Sequence, residues 1–272
     1  MFFRFVLCKI IRNFAPQNVR FMTRALTILM VVVGLLCAGE TCAYTLVIDA
    51  GHGGKDAGAL GFISKEKDIN LAIALEFGRL VEQNCPDVKV IYTRKTDKFV
   101  ELDERARIAN RNKADLFVSI HTNSTAAGKA GTTARGTETY TLGMHRAADN
   151  LAVAKRENSV ITLEANYEEK YEGFDPNSSE SYIIFELMQD KNMESSVKLA
   201  GLIQKQFRST AGRIDKGVHQ AGFLVLRATS MPSVLIELGY INNPNEAAYL
   251  TSTAGVNALA KSIYNAFVAY KK

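Results

Sequence analysis

Residues 45–54 read Thr-Leu-Val-Ile-Asp-Ala-Gly-His-Gly-Gly, a short apolar run that breaks off into glycines. A run of this length predicts a buried strand over Thr45–Asp49, and the glycines predict a tight turn at its carboxyl end. Outward from it the rhythm repeats. Ile69, Ala72, Ile73, Phe77, Leu80 and Val81 recur at helical spacing between Lys67 and Asn84. Pro86 stops that helix, because proline disfavours the α conformation in the residue before it. Val88–Thr93 reads as a strand, Leu102–Asn112 as a helix and Leu116–His121 as another strand. Gly136–Leu142, Phe223–Leu226 and Val234–Leu238 are further strand candidates, while Val197–Phe207 and Val256–Tyr270 read as helices. Strands alternating with helices specify an α/β fold with a mostly parallel sheet. Met144–Glu180 interrupts the pattern: it is rich in charge, and it is longer than an ordinary connection between a strand and a helix.

The 272 residues are 47% hydrophobic and 22% charged, which excludes an intrinsically disordered chain. The net charge of +5 is unevenly placed. Residues 1–43 hold Arg4, Lys9, Arg12, Arg20 and Arg24 against Glu40 alone, so residues 44–272 carry 28 basic and 27 acidic groups. A nearly neutral body gives no support to a nucleic-acid partner. Residues 25–38, ALTILMVVVGLLCA, follow Arg24 and lead through small and polar residues to Thr41-Cys42-Ala43. That is the layout of a secretory signal peptide, and the apolar run is short for a membrane span. Residues 1–43 are therefore expected to be a leader (with Met22 an alternative start), leaving a single domain over 44–272 that is exported from the cytoplasm and has no stable membrane span. Cys8, Cys37 and Cys42 belong to the leader, and Cys85 alone cannot form an internal disulfide.

Chemistry concentrates where strands end. His52 follows the first strand and His121 closes the strand Leu116–His121. In parallel α/β sheets the loops at the carboxyl ends of strands converge on one crevice. Two imidazoles delivered there suit zinc, which takes histidine nitrogen with an optional carboxylate and, in catalytic sites, keeps a position for water. Spacing offers two carboxylates as third ligand, Glu66 at the start of the helix and Asp56 nearer in sequence. Glu237 lies inside the apolar run Val234–Leu238 on the same face as Leu235, where a carboxylate is costly without a partner. Beside a metal it would serve as general acid/base. His145 reads as a surface residue and His219 as a loop residue facing substrate. These residues alone fit several zinc hydrolases, a peptidase or deacetylase among them. A non-catalytic binding protein is disfavoured because all four of His52, Glu66, His121 and Glu237 are present.

The segments VIDAGHGGKDAGALG, KEKDINL, FVSIHTN and MPSVLIELGYINNPNEAAYL occur in an order that resembles the zinc-dependent N-acetylmuramoyl-L-alanine amidases of bacterial cell-wall remodelling and cell separation. YTRKTDKFVELDERARIAN is similar to that family's strand, loop and helix between the metal-binding segments. The resemblance implies helices on both faces of the sheet, zinc held by His52, Glu66 and His121, and Glu237 as catalytic acid/base. The implied reaction is hydrolysis of the amide between N-acetylmuramic acid and L-alanine in peptidoglycan. Some members carry an insertion after the second metal-binding histidine, in which a helix closes the cleft and donates an acid to the zinc until an activator protein displaces it. Residues 144–180 occupy that position, and the resemblance makes Glu164 or Glu168 the expected autoinhibitory acid. No wall-attachment module is recognised in 44–272, so substrate is expected to be found through the cleft or a partner.

Overall fold

The structure, a computed structural model, describes residues 44–126, 132–145, 147–187 and 191–272; the expected leader lies outside them. Tyr44–Lys272 forms one unit. Six strands make a single sheet in the order β2-β1-β3-β6-β4-β5, with β1 Tyr44–Ala50, β2 Val88–Tyr92, β3 Leu116–Asn123, β4 Thr137–Leu142, β5 Asp215–Ala221 and β6 Ser233–Tyr240. Every neighbouring pair is parallel except β4 with β6.

Period-two alternation sorts the strand residues onto two cores. Leu46, Ile48, Val118, Ile120, Val234 and Ile236 face one layer. That layer is built by α1 (Glu66–Asn84), α4 (Met193–Thr210) and α6 (Thr253–Lys271), which contribute Phe77, Phe207 and Phe267. The free Cys85 is buried there too. Val47, Phe117, Leu235 and Tyr140 face the other side, covered by α2 (Leu102–Arg111) and by the segment after β4. Each fully buried large apolar side chain contributes roughly 1.5–3 kcal/mol, so both layers are needed to hold the sheet. The carboxyl half of the second face turns polar: Asp49, Ser119, His121 and Glu237 all lie on it, and all are buried.

The segment expected to be a charged insertion is largely folded into the second core. α3 (Ala148–Asn158) is followed by helical turns at Ser159–Leu163, Tyr167–Lys170, Glu180–Ile183 and Ile184–Leu187. Val153, Ile161, Tyr171, Phe174, Tyr182 and Phe185 are buried with the sheet residues. The acidic residues noticed in the sequence are spaced between these anchors.

Two sequence readings change. Phe223–Leu226 is not a strand; Leu224–Arg227 is a helical turn, because a short run that is apolar all round fits a buried helix as well as a strand. The strand lies just before it, at Asp215–Ala221, where His219 was expected in a loop. As a half-exposed edge strand it has no apolar run to announce it. Helix α5 (Pro244–Thr251) was not read from the sequence, though its start carries the usual signals. Asn243 caps it by accepting from the backbone N–H groups of Asn245 and Glu246, with Pro244 in the first turn.

Candidate metal centre

Four side chains converge at the carboxyl ends of β1 and β3. His52, Glu66, His121 and Glu157 are buried, and each offers one donor atom within 4.8 Å of the others. His52 sits in the glycine turn after β1 with φ +62, a left-handed conformation that costs a non-glycine residue roughly 1–2 kcal/mol. Glycine at 51 is required by the approach of β3: a Cβ there would lie 2.4 Å from the His121 ring. At 58, where φ is +64, a Cβ would meet His52 at 2.6 Å and the Glu66 carboxylate at 2.7 Å.

The surroundings aim each ligand. His52 Nδ1 lies 2.7 Å from Asp56 Oδ2, leaving Nε2 directed at the cluster. Asp56 therefore stands behind His52 and is not one of the converging groups. Glu66, on the first residue of α1, is fixed by backbone N–H donation from Ala59 to Oε2 (2.8 Å) and from Thr122 to Oε1 (2.9 Å). Asn70 Nδ2 donates to the same Oε1 at 3.2 Å. Glu66 Oε1 lies 3.1 Å from His52 Nε2 and 3.3 Å from His121 Nδ1. Glu157, on α3, places Oε2 3.0 Å from His52 Nε2 and 2.9 Å from His121 Nδ1.

No hydrogen bond satisfies His52 Nε2, His121 Nδ1 or Glu157 Oε2, although all three atoms are buried. Imidazole lone pairs facing carboxylates in a dry site repel unless a cation lies between them. Burial opposes charge on His121, but Glu157 and Glu66 outweigh it and raise its pKa to about 9. His52 is likewise raised despite burial, by Glu66, Asp56 and Glu157. Two histidines with carboxylates also form a donor set that fits a divalent transition metal, and zinc takes this combination readily.

Glu237 stands next to the cluster because β3 and β6 pair in register, His121 opposite Glu237. Both its carboxylate oxygens are buried without a hydrogen bond, and Arg156 Nη2 approaches one at 3.5 Å. Burial pushes its pKa well above the carboxylate range, and the negative charges of Glu157 and Glu66 add to the shift against the opposing pull of Arg156. It is a buried carboxyl group whose proton affinity is raised by its surroundings.

Of the acids expected from the insertion, neither reaches the histidines. Glu164 is buried elsewhere, accepting from Leu102 N (2.8 Å), Lys170 Nζ (2.7 Å) and Tyr171 Oη (2.9 Å), which pins the insertion to α2. Glu168 is exposed. Glu157 takes the position instead, with Arg156 Nε holding its other oxygen at 3.0 Å. The signal for Glu157 was the same acid-rich segment, but only the helix phase of α3 reveals which acid points inward. Glu138 was also missed. It faces Glu237 across β4 and β6 and accepts from Tyr140 Oη (2.6 Å), Tyr240 Oη (2.7 Å) and Lys216 Nζ (2.6 Å). With Asn123, Arg156 and His219 these groups line a cavity of about 690 Å³ beneath α3. His219 is on β5, its ring 5.4 Å from that of Tyr140. His145, between β4 and α3, lies outside the cluster.

Residues 46–269 match the protein family described as N-acetylmuramoyl-L-alanine amidase. The chain is 35% identical over 227 residues to the uncharacterized protein YqiI of Bacillus subtilis, covering 83% of this chain and 84% of that one. It is 32% identical over 228 residues to the N-acetylmuramoyl-L-alanine amidase AmiA of Escherichia coli, covering 83% and 75%. Among solved structures, the catalytic domain of CwlV, an N-acetylmuramoyl-L-alanine amidase from Bacillus (Paenibacillus) polymyxa, superposes with a TM-score of 0.60 at 31% identity, over 84% of this chain and 98% of that one.

Proposed function

The chain belongs to the N-acetylmuramoyl-L-alanine amidase family, which hydrolyses the amide between N-acetylmuramic acid and L-alanine in peptidoglycan, and from that premise we propose that His52, Glu66 and His121 hold a zinc ion and that Glu237 moves the protons of the reaction. The observation that carries this reading is the convergence of His52 Nε2 and His121 Nδ1, both buried and without hydrogen bonds, on the Glu66 carboxylate beside Glu237. Zinc bound there would supply Lewis-acid polarisation of the scissile carbonyl and acidify a water molecule. The protein supplies the rest. Asp56 fixes the orientation of the His52 ring, and the backbone N–H groups of Ala59 and Thr122 fix Glu66. Glu237, with its raised proton affinity, takes the proton of the attacking water and returns it to the amine of L-alanine as that amine leaves. Membership of the family favours this reaction over the peptidase and deacetylase alternatives that the same ligand types would serve.

α3 closes the centre in the described form. Glu157 occupies the space between the two imidazoles while Arg156 reaches Glu237, Asn123 Oδ1 (3.0 Å) and the Ser124 carbonyl (2.7 Å). We read this as a resting state in which Glu157 is the autoinhibitory acid, relieved when an activator protein draws α3 away. Export to the periplasm or cell wall is supported by the leader-like residues 1–43. Among the described residues no helix is long and apolar enough to cross a membrane.

The test is incubation of the purified protein with peptidoglycan, with and without zinc or a chelator, and identification of products by mass. Free stem peptides beginning at L-alanine, formed only with metal, are expected. Cleavage within the stem peptide, or amidase products that a chelator leaves undiminished, would overturn the reading.

A further inference from the structure

The turn that carries His52 is gripped from behind by two buried arginines, and we propose that Arg94 and Arg105 are positioning residues of the metal centre. They act on the ligands through the backbone, setting where His52 and Glu66 point. The inference rests on the metal reading of His52, Glu66 and His121 given above.

Three consecutive carbonyls of the turn are taken by guanidinium groups. Ala50 O accepts from Arg94 Nε and from Arg105 Nη1, both at 2.8 Å. Gly51 O accepts from Arg94 Nη2 at 2.9 Å, and His52 O from Arg105 Nη2 at 2.9 Å. Arg94 Nη2 also donates to Lys67 O at 2.8 Å, one residue beyond Glu66. One planar group thus ties the backbone of the first ligand to the helix turn that carries the second. Arg94 follows β2 and Arg105 lies on α2, so the turn is held by elements other than those that supply the ligands.

Arg105 is itself held in place. Its Nη1 pairs with Asp49 Oδ1 at 2.7 Å, and its Nε donates to Val100 O at 3.0 Å. Asp49 accepts from Thr93 Oγ1 (2.6 Å) and from Ser119 Oγ (2.7 Å), the latter two residues before His121 on β3. The network therefore touches the supports of all three proposed ligands.

The need for such a grip follows from the backbone. His52 is a non-glycine residue at φ +62 between Gly51 and Gly53, a conformation that persists only where the surroundings hold it. Glycines on either side leave the turn free to relax, and a relaxed turn would carry the imidazole away from Glu66. Arginine is suited to the task, because its planar fork presents several donors in fixed directions, whereas lysine offers one flexible ammonium. Arg94 spends its donors on carbonyls alone among the described residues, which is the use expected of a backbone clamp.

The experiment compares the purified wild-type protein with Arg94→Lys and Arg105→Lys. Zinc affinity is measured by chelator competition, and the visible absorption of the cobalt-substituted protein reports ligand geometry. Thermal unfolding is followed in parallel, with Ile203→Val in the opposite core as a destabilised control. Each lysine variant is expected to bind zinc about 10- to 100-fold more weakly and to shift the cobalt bands, while Ile203→Val lowers the melting temperature and moves neither. Lysine variants that melt lower but keep wild-type zinc affinity and an unchanged cobalt spectrum would reduce the arginines to structural supports and overturn the proposal. Wild-type protein that takes up no zinc would instead overturn the metal reading beneath it. Should Arg105→Lys fail to fold, Arg94→Lys decides alone, since it breaks no ion pair.

Discussion

Glu157→Ala isolates the part of α3 that blocks the centre. The substitution removes a carboxylate that lies 3.0 Å from His52 Nε2, 2.9 Å from His121 Nδ1 and 3.0 Å from Arg156 Nε. Alanine keeps the helix, being the strongest helix former, so α3 should stay folded with Val153 and Ala154 as its remaining apolar anchors. One charge-assisted contact of this kind is worth about 1.5–3 kcal/mol net. If that contact is what favours the closed state, losing it shifts the open population, and hence the rate without activator, about 10- to 150-fold upward. The point substitution is a better probe than excising residues 154–172, because that deletion would also strip Val160, Ile161 and Tyr171 from the core. The assay is the initial rate of fragment release from dye-labelled peptidoglycan, with zinc content and melting temperature measured on the same sample. A folded, zinc-loaded Glu157→Ala protein with an unchanged or lower basal rate would refute the reasoning and make Glu157 a supporting ligand.

Three other outcomes are expected. Glu237→Gln keeps zinc but loses about a hundred- to ten-thousand-fold in turnover, the usual worth of a positioned proton carrier, checked by metal analysis beside steady-state rates. His121→Ala loses stoichiometric zinc and activity together, as removal of one of three protein ligands should; metal retained at one equivalent would exclude it from the ligand set. Asn243→Ala removes the cap that satisfies two N–H groups of α5. Its cost of about 0.5–2 kcal/mol should lower the melting temperature by roughly 1–8 °C and leave zinc affinity unaltered.

The legible part of this molecule is the part governed by short-range pattern. TLVID, LFVSIH and VLIEL each carry enough apolar residues to mark a buried strand, and a histidine or carboxylate in or just after such a run stands out because burial makes it expensive. His52, His121 and Glu237 stand out for that reason, whereas Glu66 is marked only by its place at the start of the helix after the glycine loop, and the choice of Glu66 over Asp56 rests on the family resemblance. Asp56 illustrates the difficulty: it lies close enough to be a ligand, and only the fold shows that it binds the far nitrogen of His52. β5 was hidden because an edge strand can be half exposed and need not alternate. The inward acid of the insertion was hidden because Glu157, Glu164 and Glu168 are equivalent as residue types. What separates them is the rotation of α3 and the anchoring of Tyr171 and Phe174 in the second core.

The register of β3 against β6 has a mechanical consequence. His121 and Glu237 sit opposite each other on adjacent hydrogen-bonded strands, so their separation is a property of the sheet. Strand spacing is about 4.8 Å and is held by backbone bonds that side-chain substitution does not touch. The centre is thus stiff along the direction that matters for passing a proton, and compliant only where α3 covers it. Sequence drift in the cover can retune how often the site opens while the reacting groups keep their distance.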